Sequence, residues 1–387
     1  MTDARTNELI AKALAHGLGQ GEVEITAIEC LDSHLHGHAF KYHQGSSNIA
    51  GVYPYRIAYR DRNGRDHSVD VMVKAKPDEA DILAVYQGLL DHCGIMLPTP
   101  LAACLKNSDY STPNLKEAVL FRDFWSDLDP YLPESLGVYI DEATSYTLRL
   151  ERILPAGSVI LDPDDDTTAQ WEPSFSALTL NAMADIHARF YGRYRALCDT
   201  GFFPVCNSAV MVQGRALWQA FCDFLSRAYP EVMTENLARR HRAILDSLSD
   251  WYALVDQQPK TLLYGDVNPQ NLAFAKTPDG FRLSVFDWER AVISLPQRDL
   301  AEHLIYTLPD DFSKREALDQ IDFHLTSFAR HYQGIAPQPS LDGLIWMLYD
   351  LIINRLPLMM IVNHVAHKRR HAGKAYIHAH RLLSYLT

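Results

Sequence analysis

The sequence predicts an α/β (α+β) chain of two lobes, a small N-terminal lobe built on an antiparallel sheet and a larger, mainly helical C-terminal lobe. Three observations carry that expectation. Val23 to about Lys76 reads as strand, with Asn63-Gly64 set between two runs rich in Val, Ile and Tyr, a hairpin signal. Past Trp125 the apolar spacing becomes mainly helical. Between Thr261 and Trp288 short strands return around a second turn, Asp279-Gly280. The lobe boundary is placed at Trp125, giving an N-lobe of 1–125 and a C-lobe of 126–387.

In the second strand of the first hairpin, Val69, Val71 and Val73 alternate with Asp70, Met72 and Lys74, so a period of two puts Met72 and Lys74 on one face. Asp78 to Cys93 follows as a helix with Asp78 as its N-cap. Ala118 to Phe124 reads as a further strand. Thr179 to Tyr191 and Gly214 to Ser249 have helical periodicity, and Leu161 to Thr168, with Asp164, Asp165 and Asp166, reads as a solvated loop.

Composition narrows the functions available. At 387 residues and 47% hydrophobic content the chain exceeds one minimal core. A net charge of -12 argues against a binder of phosphate backbones, which needs clustered Lys and Arg to displace counterions. No nucleic-acid partner is expected. The six cysteines contain no C-x-x-C pair and read as reduced, buried thiols. Met1 to Gly21 lacks the apolar run of a signal peptide, which points to the cytoplasm. Leu344 to Val362 comes nearest to a membrane span, but Asp350, Asn354, Arg355 and Pro357 interrupt it, and mid-span charges are costly in hydrocarbon. It reads as a buried helix pair, with no membrane partner.

The chemistry-bearing stretch is Leu262-Leu263-Tyr264-Gly265-Asp266-Val267-Asn268-Pro269-Gln270-Asn271, followed after the hairpin by Val285-Phe286-Asp287-Trp288-Glu289. Asp266 and Asn271 lie in a loop between apolar segments, and Asp287 ends the next strand. Three oxygen-bearing side chains at one sheet edge suit Mg²⁺, a hard cation that prefers a few protein oxygens plus substrate phosphates. Phosphoryl transfer needs a group to orient the acceptor hydroxyl, metal to bridge the phosphates and a cation on the nucleotide. Asp266, the Asn271 and Asp287 pair, and Lys74 can supply these in turn.

These residues resemble the aminoglycoside phosphotransferase and choline kinase superfamily, small-molecule relatives of the protein kinases. The family's loop H-G-D-x-x-x-x-N is matched by Gly265, Asp266 and Asn271, with Tyr264 in place of the histidine. The resemblance runs from about Gln44 to Tyr306. It implies a two-lobed protein-kinase-like fold with ATP between the lobes, and transfer of the γ-phosphoryl group to a hydroxyl of a small molecule. Asp266 is then the catalytic base or hydroxyl-orienting residue, and Asn271 and Asp287 hold Mg²⁺. Val71-Met72-Val73-Lys74 looks like the nucleotide-binding strand with its lysine. Gly45, Ser46 and Ser47 stand where the phosphate-covering loop belongs, without a repeated glycine pattern. Leu120 to Phe124 looks like the strand entering the adenine-contacting hinge. Ala184 to Phe190 resembles the family's helix with a Leu-His-Ala core, and Asp299 the residue that braces the catalytic loop.

Several readings stay paired. Glu79 and Asp81 are both candidates for the acidic partner of Lys74. Glu289 either contacts metal or caps its strand, and His187 is favoured as a structural histidine over a catalytic one. The cluster His367-Lys368-Arg369-Arg370-His371 is an exposed helix face or a clamp for an anionic substrate. The alternative to an enzyme is a kinase-shaped protein that binds a ligand without catalysis.

Overall fold

The computed structural model describes residues 4–31, 49–161, 171–366 and 373–387. They form two compact units that interleave along the sequence. The first is drawn from Met1–Ile82, Thr112–Asp162 and Asn271–Glu289, and the second from Leu83–Ser111, Pro163–Gln270 and Arg290–Thr387. The expected single boundary at Trp125 is thus replaced by several crossings. The expected class is observed, with the larger sheets in the first unit and most of the helices in the second. Asp164 to Asp166 and His367 to His371 lie outside the described residues.

Among the described residues there are ten strands: β1 (Glu24–Cys30), β2 (Gly51–Arg60), β3 (Asp66–Lys76), β4 (Ser135–Asp141), β5 (Tyr146–Arg152), β6 (Val159–Ile160), β7 (Thr261–Leu263), β8 (Leu272–Thr277), β9 (Gly280–Val285) and β10 (Val292–Ser294). In the first unit, five strands form an antiparallel sheet of order β1-β2-β3-β5-β4, and a second sheet has the order β6-β8-β9. Both predicted hairpins are present. At the first, Asp61 Oδ1 accepts from Asn63 N at 2.8 Å and Arg65 N at 2.9 Å, and Gly64 takes a φ of +75°.

Strand alternation gives the five-stranded sheet two unlike faces. Val71, Val73, Ala75, Leu148 and Leu150 pack with Leu9, Ile10, Ala13 and Leu14 of the helix Ala4–Gly17. The opposite face carries Met72 and Lys74, which pair in register with Glu151 and Arg149. The helix approaches β4 closely because residue 137 is glycine: a Cβ there would stand 1.9 Å from Ala13 O.

Of Ala118 to Phe124, expected as a strand, Ala118 to Asp123 belongs to the helix Pro113–Asp123 and Phe124 is its C-cap. Every residue from Pro113 to Phe121 is buried. A helix buried all round shows no 3.6-residue period, and periodicity cannot distinguish it from a buried strand. The reading of Leu120 to Phe124 as a hinge strand falls with it.

The second unit is mainly helical, with β7 and β10 paired antiparallel. The expected helices appear as Pro173–Phe190, Arg215–Ala228 and Glu235–Asp246. The anticipated helix pair is Leu341–Ile353 and Arg355–Val365, separated at Asn354 and mostly buried. By length and composition alone Leu341–Val365 could cross a membrane. All six cysteines are free thiols, but Cys30 is exposed and Cys93 and Cys198 are half-buried, which corrects the expectation of uniform burial.

His241, His303, His324 and His380 are buried in this unit, and burial pushes each ring down to about 3. His303 has neither ring nitrogen hydrogen-bonded among the described residues. Folded, such a ring is neutral, whereas an unfolded histidine titrates near 6.5. Below that value the unfolded chain binds the extra proton, so the ring's contribution is intact above about pH 6.5 and is lost as pH falls. At pH 5 the loss is about 2 kcal/mol per ring. His303→Phe is therefore expected to gain thermal stability relative to the parent on going from pH 7 to pH 5. Equal parent-to-variant differences in melting temperature at the two pH values would contradict this.

Candidate active site

In the first unit, β3 delivers Lys74 to a buried carboxylate. Its Nζ donates to Glu117 Oε1 at 2.9 Å and to Asp287 Oδ1 at 2.5 Å. Glu117 lies on the helix Pro113–Asp123 and is 1% exposed. The same oxygen is 2.9 Å from Arg149 Nη2 and accepts the Trp288 backbone N–H at 2.9 Å. Arg149 also pairs with Glu151 at 2.7 Å and lies over the Phe121 ring at 4.0 Å from its centroid. Burial works against an ionised Glu117, but Arg149 and Lys74 overcome it and hold the carboxyl below its ordinary range. At Glu151 burial prevails over Arg149 and raises the carboxyl.

The acidic partner of Lys74 is therefore neither Glu79 nor Asp81. Glu79 instead accepts the Thr112 backbone N–H at 3.1 Å. Sequence reasoning missed Glu117 because it fell just before the segment Ala118 to Phe124 that read as a strand, outside any expected element; the available signal was the charged pair Lys116-Glu117 beside an apolar run.

Asp287 follows β9 with a left-handed φ of +76°, a region that aspartate enters more readily than most residues. Against burial, Lys74 and Lys76 hold its carboxyl well below the usual range. Lys76, two residues beyond Lys74 on β3, lies 3.6 Å from Asp287 Oδ1 and also pairs with Glu289. Asn271 immediately precedes β8, and its carbonyl accepts the Phe286 N–H at 3.1 Å. Asn271 and Asp287 thus leave the same end of the β8–β9 hairpin. Among the described residues no group of three His, Cys, Asp or Glu is set to hold a metal. One carboxylate and one amide oxygen nonetheless fit Mg²⁺, which keeps waters and takes phosphate oxygens for its remaining positions. Met72 is half-buried on β3 opposite Glu151. Gly45, Ser46 and Ser47 lie outside the described residues.

Asp266 belongs to the second unit, in the loop after β7. The helix Gln297–Thr307 fixes that loop through its main chain. Asp299 accepts Tyr264 N at 2.8 Å and Gly265 N at 3.0 Å, and Glu302 accepts Val267 N at 3.1 Å. His187 Nε2 lies 3.0 Å from Asp299, a structural contact. Tyr264 in place of histidine therefore leaves the bracing intact, because the loop is held at its N–H groups. Gly265 has a φ of +78°, and a Cβ there would stand 2.4 Å from Arg290 O. Two further residues escaped sequence reasoning. Arg355 Nη2 donates to Asp266 Oδ1 at 2.6 Å, and its Nε donates to Glu302 Oε1 at 3.4 Å. Burial, reinforced by Asp266, pushes Glu302 up to about 7 despite the opposing charge of Arg355.

Residues 207–337 match the model of the phosphotransferase enzyme family, APH. The resemblance carried by the motifs agrees with that match. No curated protein matches the chain. Solved structures similar to it include choline kinase LicA from Streptococcus pneumoniae, at 13% identity and TM-score 0.42, covering 93% of this chain and 94% of that one. The GDP complex of a variant aminoglycoside 2'-phosphotransferase-IIIa has 11% identity and TM-score 0.48, covering 94% of this chain and 92% of that one. An ethanolamine kinase from Plasmodium vivax has 10% identity and TM-score 0.37, covering 86% of this chain and 79% of that one.

Removing the Glu117 charge would leave Lys74 and Arg149 buried around a neutral group. Glu117→Gln is expected to cost about 3–5 kcal/mol, and Asp81→Asn less than about 0.5 kcal/mol. Urea unfolding checks both, and equal costs would contradict the assignment of Glu117 as the partner.

Proposed function

We propose, from the family match over residues 207–337, that this protein transfers the γ-phosphoryl group of ATP to a hydroxyl of a small molecule. The observation that carries the proposal is Lys74, its ammonium held by Glu117 and in contact with Asp287. A lysine anchored by a second carboxylate stays in place when Asp287 turns to a metal. That suits a residue whose task is to hold nucleotide phosphates.

In this reading Lys74 binds the phosphate oxygens, with Met72 beside it on β3 and Gly45, Ser46 and Ser47 covering the phosphates. Asn271 and Asp287 hold Mg²⁺. The metal, when bound, neutralises charge on the phosphates. Asp266 accepts a hydrogen bond from the acceptor hydroxyl and aims its oxygen at the γ-phosphorus. As the new O–P bond forms, the bond from the γ-phosphorus to the β–γ bridging oxygen breaks, and its electron pair leaves with ADP. The acceptor's proton passes to Asp266, so the products are the phosphate ester and ADP. The net charge of -12 supports a small acceptor over a nucleic acid.

ATP consumption with a panel of alcohols, amino alcohols, sugars and antibiotics tests the proposal. Asp266→Ala is expected to lower turnover by about 10²- to 10⁴-fold, with the ATP Kd in Mg²⁺ changed less than twofold by calorimetry. Lys74→Met should weaken ATP binding instead. Parent-like turnover in Asp266→Ala would falsify the assignment. A parent that binds no nucleotide with or without Mg²⁺ would favour a non-catalytic ligand-binding protein.

A further inference from the structure

Resting on the phosphotransferase reading, we infer that Arg355 and Glu302 form a positioning clamp that fixes the plane of the Asp266 carboxylate for the acceptor hydroxyl. The contacts close a circuit. Asp266 Oδ1 accepts from Arg355 Nη2 at 2.6 Å, and Arg355 Nε donates to Glu302 Oε1 at 3.4 Å. Glu302 Oε2 accepts the N–H of Val267, the residue bonded to Asp266, at 3.1 Å. Side chain and main chain of the loop are therefore tied to one guanidinium through one buried carboxylate. Arg355 is 6% exposed and Glu302 is fully buried.

The location of Arg355 argues that the clamp has a use. It interrupts Leu341–Val365, which among the described residues is long and apolar enough to cross a membrane, directly after the break at Asn354. Asn354 Oδ1 accepts the Tyr110 hydroxyl at 3.0 Å, which holds the break. Burying a guanidinium there is costly, and an apolar residue would suit packing better. What the arginine adds is geometry. Its planar fork presents Nε and Nη2 in a fixed relation, so two acceptors are held at a set angle. A lysine ammonium at the same place can neutralise but cannot orient both.

The groups facing Glu302 are Arg355, Asp266 and Arg298, with Asp299 beside it on the same helix. The Tyr306 hydroxyl, which has no hydrogen-bond partner among the described residues, shares its surroundings with Arg355, Glu302 and Asp266. Protonating Glu302 removes the charge that holds Arg355 Nε, so orientation of Asp266 should weaken on the acid side of neutrality.

The test uses the full chain, ATP with Mg²⁺, and whichever panel alcohol supports ATP consumption by the parent. Arg355→Met is expected to lower kcat about 10²-fold with the KM for ATP within twofold. Arg355→Lys should recover less than a tenth of the lost kcat. The parent's kcat should fall below about pH 7, whereas Glu302→Gln should be flat from pH 6 to 8 at a reduced level. Circular dichroism and thermal melts establish folding. If Arg355→Met does not fold, Arg355→Lys and Glu302→Gln decide the matter. Folded variants with the parent's kcat and pH profile overturn the clamp while leaving the phosphotransferase reading intact. A parent inert towards every alcohol overturns both.

Discussion

Two cations buried inside a small sheet, Lys74 and Arg149, would each cost several kcal/mol without a counter-charge, and the carboxylate of Glu117 answers both. The dependence runs outward from that oxygen. Arg149 stays on the polar face of the sheet because Glu117 and Glu151 share it, and Phe121, one helical turn from Glu117, covers its guanidinium. Lys74 keeps its reach because one of its carboxylates is fixed on a helix and the other stands at a strand end. Lys76 and Glu289 complete the cluster. With Glu151 pushed towards its neutral form, the charges nearly cancel. In the proposed reaction, a polyphosphate entering such surroundings would bring more negative charge than the cluster can answer, and a divalent cation on Asn271 and Asp287 would restore the balance.

The second unit solves a different problem with the same economy. A loop that must present an aspartate cannot rely on side chains alone, since its unpaired N–H groups would otherwise be left buried without acceptors. Asp299 and Glu302, three residues apart on the helix Gln297–Thr307, lie on one helical face and take up the N–H groups of residues 264, 265 and 267. Gly265 makes the turn beside Arg290 with a φ that a side chain would strain. The loop's shape is thus set by main-chain hydrogen bonds, and the side chain at residue 264 is free to be tyrosine.

Legibility in the sequence followed the range of the interaction that decides each element. Both hairpins could be read because Asn63-Gly64 and Asp279-Gly280 act on their immediate neighbours. The shared face of Met72 and Lys74 could be read because a strand's period is local. The loop that anchored the family resemblance could be read because residues 265, 266 and 271 are close together, and the other matching segments supported it by their order along the chain. The partner of Lys74 could not be read: it lies 43 residues away, on a helix whose complete burial erased the period that would have revealed it. The partner of Asp266 lies 89 residues away. The division into units was hidden for a related reason, because β4, β5 and the β8–β9 hairpin return to the first unit after the chain has left it.

The apolar stretch Leu341–Val365 shows how such distant partners can still leave a trace. Composition alone cannot separate a membrane span from a core helix, since both must be apolar. The polar exceptions inside the stretch do separate them when each finds a fixed partner. Asp350 accepts from Arg298 at 2.9 Å, and Arg298 also donates to Asp109, which accepts from Arg290 as well. Asn354 accepts from Tyr110, and Arg355 reaches Asp266 and Glu302. Burial makes an unpartnered group of this kind expensive and a satisfied one specific. A polar residue in the middle of an otherwise apolar helix therefore marks the point where that helix touches something other than core. In this chain one of those points, Arg355, touches Asp266 and Glu302, which ties the apolar stretch to the loop that carries the proposed acceptor-orienting aspartate.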